Sequence, residues 1–192
     1  MARFFEQLEP SHIEFIGSQR MFFVASSGDG VHPNLSPKGY DTLAVLGPDR
    51  LAYVDWPGSG NQTATHLGEN GRITLMFCSF ERTPLILRIY GRGRVVSRTA
   101  AEFAELAARL GDRVGPHTRQ LIEIAVQRVQ TSCGYAVPLF DYRGDRNTLQ
   151  GYYDRKHAEV DWEAYLDSRS RPQPPPVSDS GEESAQPAPR VP

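Results

Sequence analysis

Cysteine is nearly absent. Cys78 and Cys133 are the only two in 192 residues, too few for a disulfide framework and without the CxxC spacing of a zinc or redox site. Free thiols in a cytoplasmic protein are the expectation. A basic excess is missing too: Lys plus Arg total 21 against 23 Asp plus Glu, a net charge of −2, so the chain lacks the cation surplus with which general nucleic-acid binders displace counterions. No run of about eighteen apolar residues occurs, which argues against a membrane-spanning helix. Met1-Ala2-Arg3-Phe4-Phe5-Glu6 carries charge where a secretory leader would have its apolar stretch. What is present suits a globular body. Apolar residues make up 39%, with nine Phe, eight Tyr and two Trp, and the length fits one domain better than two.

The composition changes near the end. Residues 169–192 hold seven of the fifteen prolines and no aromatic residue. Such a stretch cannot bury enough surface to offset the entropy of ordering it. The expected organisation is therefore a domain over residues 1–168 followed by a disordered proline-rich tail.

Along the domain, Ser11-His12-Ile13-Glu14 has the form of a capping box and predicts a short helix to about Arg20. Met21–Ala25 and Val31–Ser36, around a Gly-rich turn, read as a hairpin. Thr42–Leu46 and Leu51–Asp55, around Gly47-Pro48-Asp49, read as a second. Asn61 to Gly71 suggests a brief helix closed by Asn70-Gly71. Ile73–Cys78 and Leu85–Val96 are the two clearest strands. The first is apolar on both faces and needs cover on both, from a helix or a second subunit. The second alternates, with Arg88, Tyr90, Arg92 and Arg94 on one face and Leu87, Ile89 and Val95 on the other. Thr99-Ala100-Ala101-Glu102 heads an amphipathic helix. Ile122, Ala125, Val126 and Val129 give helical spacing for another from about Thr118 to Gln130. Gly134–Leu139 reads as a short strand and Thr148–Asp167 as a polar helix. Strands come first and helices after, without βαβα alternation, which implies an α+β protein: an antiparallel barrel with helices outside it.

Two segments gather groups suited to an anion. In Trp56-Pro57-Gly58-Ser59-Gly60-Asn61-Gln62-Thr63 two glycines permit close backbone approach, four neutral polar side chains follow, and a helix start adds free N–H groups with the positive end of its dipole. An ordinary helix start capped by Asn61 is the competing reading. The other segment is Asn34-Leu35-Ser36-Pro37-Lys38-Gly39, whose Lys38 reaches the same anion if the two hairpins lie side by side. Arg88, Arg92 and Arg94 form a third positive element, unless they are simply a solvated face.

Taken in order, Ser-Pro-Lys-Gly, Pro-Gly-Ser-Gly-Asn-Gln-Thr, Ile-Thr-Leu-Met-Phe and Leu-Arg-Ile-Tyr-Gly-Arg-Gly resemble the pyridoxamine 5′-phosphate oxidase-like family over residues 10 to 140. The resemblance implies a Greek-key split β-barrel of about six strands, a homodimer, and FMN held in clefts at the dimer interface. It places Lys38, Ser59, Asn61, Gln62 and Thr63 around the FMN phosphate, with Arg88 as a further candidate, and Ser36, Tyr53, Val54 and Asp55 along the ribityl chain and ring. An FMN-dependent oxidoreductase acting on a small molecule follows from it.

The departures are informative. Ser59-Gly60-Asn61-Gln62 stands where the vitamin-forming oxidases have a Ser-Arg-Lys run, so a phosphate here leans on backbone N–H groups, Lys38 and an arginine. Ala136 replaces the arginine of their Gly-Gly-Tyr-Arg-Val segment, and Arg146-Asn147-Thr148 stands where Arg-Leu-His is expected. Both argue against pyridoxamine 5′-phosphate as substrate. They also leave open a non-catalytic flavin, deazaflavin or haem binder (a sensor, carrier or scavenger) and a dimeric barrel without a cofactor. The five histidines lack paired-ligand spacing for a metal, and no Gly-x-Ser-x-Gly elbow occurs.

Overall fold

The computed structural model describes residues 2–29 and 31–170. In chain order the elements are β1 (Arg3–Phe5), α1 (Pro10–Ser18), β2 (Phe22–Ser26), β3 (Asn34–Lys38), β4 (Leu43–Gly47), β5 (Arg50–Asp55), α2 (Gln62–Asn70), β6 (Arg72–Cys78), β7 (Ile86–Ser97), α3 (Phe103–Leu110), β8 (Gln120–Ser132), α4 (Thr148–Glu159) and α5 (Trp162–Ser170). The strands form one sheet in the order β3-β2-β6-β7-β8-β5-β4, with β1 added on β8, and every ladder is antiparallel. This is the α+β split barrel, with eight strands rather than about six.

Alternation along the strands curls the sheet. Inward residues Val24, Leu51, Tyr53, Leu75, Phe77, Leu87, Ile89, Ile122 and Ile124 share one buried cluster. Phe22 of β2 meets both Phe77 of β6 and Tyr53 of β5, each at 5.7 Å between ring centroids, so strands remote in the sheet order face each other across a barrel. The ladder between β7 and β8 jumps from Tyr90↔Arg128 to Gly91↔Val126, leaving Gln127 as the extra residue of a bulge. Gly91 is required there, since a Cβ would sit 2.5 Å from the Ala125 carbonyl oxygen. Beyond the bulge both strands run on, and Val96 and Leu121 pack with Ala52, Val54, Leu106 and Leu110 in a second cluster under α3.

The helix expected at Thr118–Gln130 is strand β8. Helical spacing and double-sided strand patterning are indistinguishable in a short apolar run. Here β-branched residues and sheet neighbours on both sides decide for the strand. Ile122 and Ile124 fill the barrel while Leu121 fills the outer cluster, and Glu123 is pinned between Arg50 of β5 and Arg94 of β7. With β8 on that edge, β7 is paired on both sides, and Gly134–Leu139, unpaired among the described residues, is a turn and coil rather than a strand. The polar helix expected at Thr148–Asp167 is two helices, broken where Val160 is extended (φ −131°, ψ 164°).

Both capping boxes shift. α1 starts at Pro10, with the Glu9 N–H donating to His12 Nδ1 at 3.0 Å. α3 starts at Phe103, because the Glu102 carboxylate is taken by Arg94 at 2.7 Å. β2 ends at Ser26 and β3 begins at Asn34, a longer separation than the tight turn expected. Strand β6 keeps Ile73, Leu75 and Phe77 inside the barrel and Thr74 and Met76 half-buried outside. Of the proline-rich segment, Arg169 and Ser170 end α5, and residues 171–192 lie outside the described residues.

Candidate functional site

Both hairpins end at the same rim of the barrel. Phe22 pairs with Lys38 and Leu43 with Tyr53, so the end of β3, the start of β4 and the end of β5 are neighbours. Chain reversal from β3 to β4 is abrupt, with Tyr40 and Asp41 both left-handed (φ 58° and 50°). After Asp55 the chain turns through Trp56–Asn61 into α2. The two anion-suited segments, some twenty residues apart in sequence, thus line one cleft of about 430 Å³, within the size range of small-ligand sites.

Eight of the ten candidates line it: Ser36, Lys38, Val54, Asp55, Ser59, Asn61, Gln62 and Thr63. Tyr53 does not. It is wholly buried beneath the cleft, with Lys38 Nζ 5.7 Å from its ring centroid. Its hydroxyl has no hydrogen-bond partner among the described residues, and burial pushes it well above the ordinary tyrosine range. Arg88 also stands apart, donating to Ser132 Oγ at 3.3 Å from β7.

Asp55 organises the charges. Lys38 Nζ donates to Oδ1 at 2.8 Å, while Arg119 Nη2, Gln120 Nε2 and Arg119 Nε donate to Oδ2 at 2.6, 2.9 and 3.2 Å. Burial alone would raise this carboxyl. The Lys38 and Arg119 charges, together with the hydrogen bonds those residues donate, overcome that and hold it below the usual aspartate value. Two cations against one carboxylate leave one positive charge. Gln120 Nε2 also donates to Asn61 Oδ1 at 2.9 Å, and Arg119 Nη1 to the Gly60 carbonyl at 3.3 Å, which ties the turn to β8. Asn34 Nδ2 reaches Thr63 Oγ1 at 3.0 Å and Ser36 Oγ reaches Asn34 Oδ1 at 3.1 Å, joining β3 to α2.

Asn61 is the residue before α2 but makes no side-chain cap. Its amide is used by Gln120 and by the Ser170 carbonyl, so the first-turn N–H groups keep no acceptor from it and remain suited to an anion. Tyr40 and Trp56 stack at 5.1 Å and 18° beside these donors. The donor set fits a phosphoester attached to a flat ring: Lys38, the Ser59 and Thr63 hydroxyls and the α2 N–H groups for the phosphate, and the aromatic pair for a ring. Arg119, Gln120 and Tyr40 are not singled out as site residues by the sequence, which includes Trp56 only as the first residue of the turn segment. The first two become visible only once Gln120 is placed in a strand, opposite Asp55 in the ladder.

Among the described residues no group of three or more His, Cys, Asp or Glu side chains is placed to hold a metal, and no helix is long and apolar enough to cross a membrane.

The family model for pyridoxamine 5′-phosphate oxidase matches residues 8–133. The pyridoxamine 5′-phosphate oxidase family protein ustO of Aspergillus flavus is 41% identical over 151 residues, covering 77% of this chain and 61% of that protein. The chain therefore spans about three fifths of that relative's length. Among solved structures, a HupZ variant from Group A Streptococcus superposes with a TM-score of 0.54 at 22% identity, over 65% of this chain and 99% of that one. A candidate pyridoxamine 5′-phosphate oxidase from Lactobacillus delbrueckii gives 0.52 at 15% identity, over 65% and 94%. These two structures share the fold.

Proposed function

Because the chain belongs to the pyridoxamine 5′-phosphate oxidase family, we propose that its cleft binds FMN and that it is an FMN-dependent oxidoreductase of a small molecule other than pyridoxamine 5′-phosphate. One observation carries the reading: Lys38 and the Pro57–Thr63 turn line the same cleft. Lys38, the hydroxyls of Ser59 and Thr63, and the first-turn N–H groups of α2 hold the phosphate. Ser36, Val54 and the Tyr40–Trp56 pair border the rest. Asp55 is fixed as a carboxylate by two cations, so Lys38 is oriented before the ligand arrives and binding requires little rearrangement.

When bound, FMN supplies the hydride and electron chemistry, and the protein supplies orientation and electrostatics. No side chain need exchange a proton. The exposed position of Ala136 in the turn after β8, with no arginine to offer there, supports the exclusion of pyridoxamine 5′-phosphate. A second copy of the chain completes the site in this reading. Its support is the apolar surface left by Leu35, Tyr135, Leu139 and Phe140, each more than 60% exposed.

The test is a visible absorption spectrum of the purified protein followed by FMN titration. Binding at micromolar concentration or tighter is expected, and its absence removes the proposal. Reduction of the bound flavin by NADH or NADPH and reoxidation by an added acceptor separates an oxidoreductase from a passive binder. Sedimentation velocity gives the copy number, expected to be two.

A further inference from the structure

The helices α4 and α5 lie beyond the stretch matched by the family model; some of their contacts go to His117 and Arg98, and another set falls on the ligand-binding turn. Tyr153 donates its hydroxyl to the Pro57 carbonyl. Tyr153, Trp162 and Leu166 form a small buried cluster whose contact with the body of the protein includes Trp56. Trp162 Nε1 donates to the Pro116 carbonyl at 2.8 Å. At the far end of α5, the Arg169 carbonyl accepts from Arg119 Nη1 at 2.7 Å and the Ser170 carbonyl from Asn61 Nδ2 at 2.8 Å. Arg119 thereby bonds three separate elements: Asp55 on β5, Gly60 in the turn and Arg169 on α5. Most of its guanidinium donors are spent on the protein, which makes it a positioning residue and not the main ligand of an anion.

We propose that α4 and α5 act as a clamp on the FMN turn, with Arg119 and Asn61 as its teeth, so that docking of the helix pair and occupation of the cleft favour each other. Among the described residues, Leu149 is the residue of the helix pair that lines the cleft. The effect of the pair runs through the backbone of residues 57–61, which docked helices hold in the shape that presents Ser59 and the α2 N–H groups. Linkage is reciprocal: whatever factor docking contributes to FMN affinity, FMN returns as protection of the helices.

The inference rests on the FMN reading for its ligand but can be measured without it. Hydrogen exchange is followed on the full-length protein, for the amides of residues 58–63 and of α4–α5, with and without FMN. The proteins compared are wild type, Trp162→Ala, Tyr153→Phe and a control, Leu87→Ala, in the barrel core. In the absence of FMN, Trp162→Ala is expected to speed exchange in both segments, whereas Leu87→Ala does not raise the turn relative to the rest of the chain. With FMN, wild-type α4–α5 exchanges more slowly, and Trp162→Ala binds FMN about fivefold or more weakly. Tyr153→Phe, which removes only a hydroxyl, gives a smaller change in the same direction. Helices that loosen in Trp162→Ala while the turn amides and FMN affinity stay at wild-type values overturn the clamp. If wild type binds no FMN, the cofactor reading fails, while the exchange of the turn without ligand still decides whether the helices hold it.

Discussion

The barrel interior and the cleft at its rim are built by opposite rules. Inside, Val24, Leu51, Leu75, Leu87, Ile89, Ile122 and Ile124 are fully buried and carry no polar side-chain atom. Their stabilisation scales with area removed from water, and each contact is replaceable by another of the same volume. At the rim a single carboxylate takes donors from three side chains, and each of those side chains comes from a segment other than its own. There the energy depends on geometry and on keeping charges matched. The barrel tolerates approximate answers and the rim does not.

Substitutions sharpen this contrast. Asp55→Ala should be the most costly, because it leaves Lys38 and the buried Arg119 without a counter-charge, at about 3–5 kcal/mol of stability, read from urea unfolding. Leu75→Ala in the barrel should cost about 2–5 kcal/mol while leaving the FMN affinity of the folded protein unchanged; weakened binding would break the separation of the two regions. Lys38→Ala should weaken FMN binding by about 1–3 kcal/mol, measured by flavin fluorescence, and should also lower stability, because it takes from the buried Asp55 one of its two cations and the donor to Oδ1. Ser59→Ala should weaken binding by only about 0.5–1.5 kcal/mol.

Acid provides a further test. The folded-state value of Asp55 is depressed, so its stabilisation is complete above the unfolded aspartate value near 4 and is lost as pH falls through the lower folded value. Wild type should therefore lose part of its urea resistance below about pH 4. Asp55→Asn, less stable at neutral pH, should show a flatter profile over that window, and an identical slope would remove Asp55 from this role.

Legibility in the sequence follows the same division. The hairpins at β2–β3 and β4–β5, the strands β6 and β7 and the exit of α2 at Gly71 carry local signals: alternation, turn residues and a left-handed glycine (φ 67°). Strand β8 does not. Its Ile122-Ala125-Val126-Val129 spacing satisfies a helix as well as a doubly covered strand, and only the neighbouring β5 and β7 decide. That one ambiguity hid Arg119 and Gln120, because their approach to Asp55 exists only in the ladder. Lys38 and Ser59–Thr63 were legible because turn chemistry is local. Their meeting in one cleft was a conditional expectation, fulfilled by two hairpins ending at the same rim.

The glycine-dependent kink at Gly91 has a consequence for how the molecule comes apart. Because the stretch of β7 and β8 beyond it turns Val95, Ile122 and Ile124 into the barrel and Val96 and Leu121 toward α3, neither compartment can be dismantled while its neighbour stays whole. Heating should therefore melt both together, as one calorimetric transition whose van't Hoff and calorimetric enthalpies agree.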